Sequence, residues 1–208
     1  MYNFYIPITS IKIDTNRLLQ EMLSFIKRHY LNEFARGMIQ HSYSFTTTAE
    51  HVNDPEYNFR KFTGITYGDV ENRKTIDGVL DRDIVHWPDI LQDSYMKEIG
   101  DQLSKLVGIP EYRVRGSIMK PYVDFLYNKH IDYHTPYRIH IALLTDPENF
   151  WFLDDVKIHQ PADGVPVIID TGKVAHSFCV PKDKLRIHFW YQFYQPIKQE
   201  ILEQLMSH

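Results

Sequence analysis

The sequence predicts a mainly β domain with helices on its flank, and three observations predict it. From Glu111 onward, short runs alternate apolar and polar residues with a period of two, the pattern of a half-buried strand. Aromatic residues, which pack well on a pleated surface, make up 14% of the chain. Two amphipathic helical patterns come before the run of strands, an order that sets helices against a β core. With 208 residues, 43% of them hydrophobic and 24% charged, the chain can bury one sizeable core as a single domain, 1–208. Within it, residues 1–110 form a helical and loop-rich N-terminal part, 111–195 the β core, and 196–208 a C-terminal helix.

In chain order, residues 2–13 read as a short extended segment. Asp14 and Thr15 can cap a helix, and Leu18, Leu19, Met22, Phe25, Ile26 and Tyr30 recur at helical spacing until Gly37 ends it. Tyr43 to Thr48 is rich in aromatic and β-branched residues and predicts a strand. Residues 50–83 are polar and full of turn chemistry, such as Asn53-Asp54-Pro55 and Asp77-Gly78. A loop of that length is either a lid over a site or a surface excursion. Its Arg60 and Arg73 are candidates to meet a ligand carboxylate, or are ordinary solvated arginines. Asp93 to Val107 predicts a second helix with Met96, Ile99, Leu103, Leu106 and Val107 on its buried side, stopped by Gly108 and Pro110.

The β core begins with Tyr112 to Met119. In Tyr137 to Leu144, Arg138, His140, Ala142 and Leu144 share one face. In Leu185 to Tyr194, Arg186, His188, Trp190, Gln192 and Tyr194 share one face. An Arg-x-His pair twice on a single strand face suits an interior that holds an anion and a metal better than a face turned to water. Residues 150–153 and 166–170 add short apolar strands. Ile201, Leu202, Leu205 and Met206 form the apolar side of the last helix.

Net charge is −4, which does not suggest nucleic acid or an anionic membrane as partner. No signal peptide or membrane span is apparent, and Cys179 is the only cysteine. The expectation is a cytoplasmic protein with a buried, inert thiol in the Phe178-Cys179-Val180 run.

The chemistry concentrates in Lys129-His130-Ile131-Asp132-Tyr133-His134. On extended backbone, residues two apart project to the same side, so His130 and Asp132 present an imidazole and a carboxylate together. A second imidazole from another strand would complete a set of two histidines and one carboxylate, which suits a non-haem Fe(II) centre with three open positions. His176 is the best candidate. A register of Asp132 with His134 stays open as an alternative. His41, His51, His86, His159 and His188 are taken as non-ligands. The competing reading is a β-rich domain whose histidines are only hydrogen-bonded.

The order H-x-D, then Arg138-x-His140, then His176, then Arg186 resembles the Fe(II)/2-oxoglutarate oxygenases of the aspartyl/asparaginyl β-hydroxylase group, which includes some proline hydroxylases. Tyr112-Arg113-Val114-Arg115 and Val167-Ile168-Ile169-Asp170, leading to Ala175-His176-Ser177, are similar to flanking segments of that family. The resemblance spans about 112–194, and Asp132 sets the chain nearer the proline-hydroxylase-like side. It implies a double-stranded β-helix core of jelly-roll, cupin-like type. It also implies Fe(II) on His130, Asp132 and His176, with 2-oxoglutarate and O2 as cosubstrates. Arg186 would pair with the far carboxylate of 2-oxoglutarate, His140 would touch the cosubstrate, and Arg138 would lie near the substrate. The implied reaction is hydroxylation of an amino-acid unit, free or in a peptide. The alternatives are the same iron chemistry on another small metabolite, or a cupin-like metal-binding module without turnover.

Overall fold

A computed structural model of the chain describes residues 4–29, 40–54, 81–119, 125–126, 129–132, 137–180 and 184–207. Among them run β1 (Tyr5–Pro7), α1 (Thr15–His29), β2 (Gln40–Ser44), α2 (Tyr95–Val107), β3 (Tyr112–Met119), β4 (Phe125–Leu126) and β5 (Tyr137–Leu144). Then follow β6 (Phe150–Leu153), β7 (Val156–Ile158), β8 (Val167–Ile169), β9 (His176–Val180), β10 (Arg186–Phe193) and α3 (Gln199–Met206). The protein is mainly β. Six strands form one sheet in the order β1-β8-β5-β10-β3-β2, and four form another in the order β4-β9-β6-β7. All the neighbouring strands pair antiparallel.

The large sheet is buried on both faces, and its period-two alternation separates two different interiors. Tyr137, Ile139, Ile141 and Leu143 of β5 and Ile187, Phe189, Tyr191 and Phe193 of β10 turn toward the helices. There they join Leu18, Met22, Phe25 and Ile26 of α1 and Met96, Ile99, Leu103 and Val107 of α2 in one apolar core. On the other side, Met119, Val167 and Ile169 of the large sheet pack with Trp151, Leu153, Phe178 and Val180 of the small one. Into this second interior point the polar residues of β5 and β10. Strand registry sets Trp190 between His140 and Arg115, and Gln192 between Arg138 and Arg113.

The helices are fastened to each other and to the sheet by side-chain caps. Asp14 Oδ1 accepts from Arg17 N at 3.0 Å, and Ser94 Oγ accepts from Lys97 N at 3.1 Å. Glu21 of α1 accepts from the backbone of Tyr95, at 3.0 Å, satisfying a first-turn donor of α2 from a neighbouring helix. Tyr191 donates to Met96 O at 2.6 Å, tying β10 to α2. Gly108, at φ 71°, closes α2 in the left-handed conformation.

Several boundaries differ from the sequence expectation. The strand expected over 43–48 is β2, which begins at Gln40 and leaves the ladder after Ser44. There Ser44 Oγ donates to Thr46 O at 3.1 Å, and Thr46 Oγ1 accepts from Val114 N, so side chains replace ladder bonds. The helix expected over 196–208 is shorter, Gln199–Met206, because Pro196 has no N–H and Lys198 is still extended. The sequence pattern gives no sign of the β6–β7 hairpin, which turns through Asp154 at φ 50° and adds a strand over 156–158. Cys179 is half-buried, contrary to the expected buried thiol, because Phe178 and Val180 take the inward positions of β9 and turn it outward. The expected helix end near Gly37, most of the 50–83 loop with Arg60 and Arg73, and His134 lie outside the described residues. Among the described residues no helix is long and apolar enough to cross a membrane.

Gly100 of α2 sits against Tyr112, where an added Cβ would lie 2.5 Å from the phenol oxygen. That phenol cannot swing aside freely, because it donates to Asp101 at 3.0 Å and accepts from Trp87 Nε1 at 3.2 Å. Gly100→Ala is therefore expected to destabilise the fold by about 1–3 kcal/mol despite its better helix propensity. Chemical denaturation checks this, and a gain in stability would contradict the packing.

Candidate metal centre

His130 and His176 are brought together by a pair of backbone hydrogen bonds. His130 N donates to His176 O at 3.1 Å, and His176 N donates to His130 O at 2.8 Å. Their rings lie with centroids 4.4 Å apart. Asp132 is anchored by its own N–H, which donates to Thr171 O at 2.8 Å just past β8. The result is a cluster in which one ligand atom from each of His130, Asp132 and His176 lies within 4.8 Å of the others.

Orientation within the cluster suits a metal. His176 Nδ1 lies 3.3 Å from Val174 O; with the proton there, Nε2 keeps its lone pair. That Nε2 is buried with no hydrogen-bond partner and lies 3.4 Å from Asp132 Oδ2. His130 Nε2 lies 3.9 Å from Asp132 Oδ1. The Asp132 side chain is fully buried while that of His130 is 35% exposed, so the cluster reaches the surface on the His130 side. Two imidazoles and one carboxylate are a donor set that fits Fe(II) and leaves coordination positions open. Arg138 Nη2 lies directly against Asp132 Oδ2.

Deeper on the same inner face sits Arg186, 2% exposed. Its guanidinium packs against two aromatic rings, Trp151, 4.6 Å from the ring centroid, and Phe178, at 5.0 Å. Its polar contacts among the described residues are Met119 Sδ at 3.3 Å and His188 Nδ1 at 3.4 Å, with no carboxylate. Burial pulls its pKa from 12.5 down to about 9, which still leaves it charged at neutral pH. An ion desolvated in this way carries a penalty of several kcal/mol unless an opposite charge meets it.

His140 feels the charge of Arg186 on one hand and of Asp132 and His176 of the triad on the other. Burial first, and then the nearby guanidinium groups of Arg138 and Arg186, hold its imidazole well below the ordinary 6.5. It is therefore neutral, stacked on Trp190 at 5.7 Å and edge-on to Trp151 at 4.8 Å. Both of its ring nitrogens, His188 Nε2, and the indole N–H groups of Trp151 and Trp190 are buried without a hydrogen-bond partner among the described residues. Buried polar atoms are rarely left so. These atoms are concentrated beside a guanidinium that meets no carboxylate among the described residues.

The structure thus places His130, Asp132, His176, His140, Arg138 and Arg186 on one interior. Sequence reasoning set His188 on the inner face beside Arg186, as a non-ligand and with no further role, and left out Trp151. For Trp151 there was no signal, because its place depends on how the small sheet lies over the large one.

No family model and no curated protein sequence matches the chain. Solved structures that resemble it include a Pseudomonas putida prolyl-4-hydroxylase, at 20% identity and TM-score 0.38, covering 50% of this chain and 62% of that one. A viral collagen prolyl hydroxylase from Paramecium bursaria Chlorella virus-1 follows at 14% identity and TM-score 0.38, covering 47% and 70%. JOX2 in complex with 2OG, Fe and JA aligns over 95% of this chain and 71% of its own, at 13% identity and TM-score 0.44. The chain thus spans less than two thirds of the Pseudomonas enzyme it matches. At these scores its functional reading rests on its own site.

His188 supplies a test of the interior. Burial first, then Arg186 and His140, hold its pKa well below the ordinary 6.5. Below about pH 6.5 the unfolded chain takes up a proton that the folded His188 refuses, so stability should fall as pH drops. The slope for this one group reaches at most about 1.4 kcal/mol per pH unit. In metal-free protein, His188→Gln should remove that share from a denaturation series run between pH 5 and 8. An unaltered pH profile would show that His188 is not held neutral.

Proposed function

We propose that this chain is an Fe(II)/2-oxoglutarate-dependent dioxygenase that hydroxylates an amino-acid unit, free or within a peptide. The observation that carries the reading is one interior shared by two groups. His130, Asp132 and His176 converge there within 4.8 Å, and the buried guanidinium of Arg186 meets no carboxylate among the described residues. A dicarboxylate with a keto group would suit both ends, chelating a metal at one and pairing with a guanidinium fork at the other.

In this reading His130, Asp132 and His176 hold Fe(II), while Arg186 and His140 hold 2-oxoglutarate. When bound, iron with 2-oxoglutarate and O2 supplies an oxidative decarboxylation to succinate and carbon dioxide that puts one oxygen atom on an unactivated C–H bond. The chain supplies position and dryness. Val174 O holds the His176 ring so that Nε2 faces the cluster. Arg186 orients the far carboxylate, and the neutral His140 offers a hydrogen bond without adding charge. The buried rings of Trp151, Phe178 and Trp190 keep water from Arg186 and His140. The two antiparallel sheets with a polar interior support a double-stranded β-helix of jelly-roll type. The amino-acid acceptor rests on the resemblance to the aspartyl/asparaginyl β-hydroxylase group and its proline hydroxylases.

Anaerobic titration of the apoprotein with Fe(II) and 2-oxoglutarate tests this. A visible charge-transfer band of the chelate is expected, absent in His176→Ala. Arg186→Met should weaken 2-oxoglutarate binding by at least about 10-fold, the loss of a charge-assisted bidentate pair, while Fe(II) still binds. Metal binding without any band would favour a metal-binding module without turnover. No metal binding at all would reject the centre.

A further inference from the structure

Arg138 was expected near the substrate, from its place in the Arg138-x-His140 pair. Its immediate partner is a ligand candidate, Asp132. Arg138 lies on β5 in register with Ile169 of β8 and Gln192 of β10. Asp132 reaches the same spot because its N–H is held by Thr171 O, two residues beyond Ile169. The two side chains therefore meet through the backbone placement of three separate segments. The guanidinium lies on Asp132 Oδ2, and the arginine side chain is only 13% exposed.

We infer that Arg138 is a positioning residue for Asp132, one that fixes which carboxylate oxygen meets the metal and how strongly it donates; this rests on the metal-centre reading above. A carboxylate has two oxygens with about four acceptor sites, and a single metal bond leaves the others to be satisfied. In a wall where the Asp132 side chain is fully buried, water does not do this. A guanidinium does, here through Nη2 on Oδ2. Both His176 Nε2, at 3.4 Å from Oδ2, and His130 Nε2, at 3.9 Å from Oδ1, face this carboxylate. A rotation of the Asp132 carboxyl would exchange those relations, and Arg138 opposes it. Without Arg138 the Asp132 carboxyl is free to turn away from the metal, which weakens binding. Partners that hold a ligand in this way typically change metal affinity by about 10–100-fold when removed.

The test compares wild type, Arg138→Gln and Arg138→Lys in anaerobic titrations with Fe(II), and with Co(II) as an air-stable probe. Far-UV circular dichroism and thermal melting of the metal-free proteins control for folding. Arg138→Gln is expected to bind both metals about 10–100-fold more weakly, and its Fe(II)–2-oxoglutarate band should move in energy. Arg138→Lys, which keeps the charge but lacks the fork, should lie between the two. The inference is overturned if folded Arg138→Gln binds metal as wild type does and its band does not move. Should Arg138→Gln not fold, Arg138→Lys decides by the same two readouts: weaker metal binding with a moved band supports the inference, and wild-type values overturn it. Absence of the band in wild type would instead count against the iron and 2-oxoglutarate reading, so the two failures are distinct.

Discussion

Two backbone hydrogen bonds between His130 and His176 hold together segments 46 residues apart, and the candidate centre depends on them. They join His130 to the first residue of β9. Each ring is thereby placed by main chain and not by a flexible side chain alone. Asp132 is added to the same frame through Thr171 O, and the His176 ring is turned by Val174 O. The turn that follows β8 thus serves both buried members of the triad. A site fixed in this way is organised before any ligand arrives, which is what a metal centre with open positions requires.

The inner face of the large sheet explains why the rest of the site lies where it does. Its helix side is uniformly apolar and makes the main core with α1 and α2. That core can stabilise the fold by hydrophobic burial alone, which leaves the opposite face free to carry unfavourable groups. Arg186, His140 and His188 are such groups: each is buried, and each would be costly in an ordinary interior. Aromatic neighbours surround them, lowering the local dielectric and so strengthening whatever opposite charge is admitted.

The parts of the site legible in the sequence were those set by local geometry. The pairing of Arg138 with His140, and of Arg186 with His188 and Trp190, follows from the alternation of a strand, which needs only neighbouring residues to read. The same holds for His130 and Asp132. The choice of His176 came from motif order and resemblance, since nothing local ties it to His130. Boundaries failed where side chains substitute for backbone pairing, as at Ser44 and Thr46, because such bonds depend on which strand lies alongside.

By itself, the sequence determined a mainly β core with amphipathic helices against it, the two faces of β5 and β10, and a set of histidine, aspartate and arginine residues suited to a metal and an anion. Only the tertiary structure decided that Arg138 turns to Asp132, that His188 and Trp151 crowd Arg186, and that His130 stands at the opening while Asp132 is buried. The physical reason is one of range. Alternation and helical spacing are properties of contiguous backbone, whereas these contacts arise where β8, β5 and β10 are set side by side by hydrogen bonds between residues far apart in the chain, and where β6 and β9 of the other sheet pack against them.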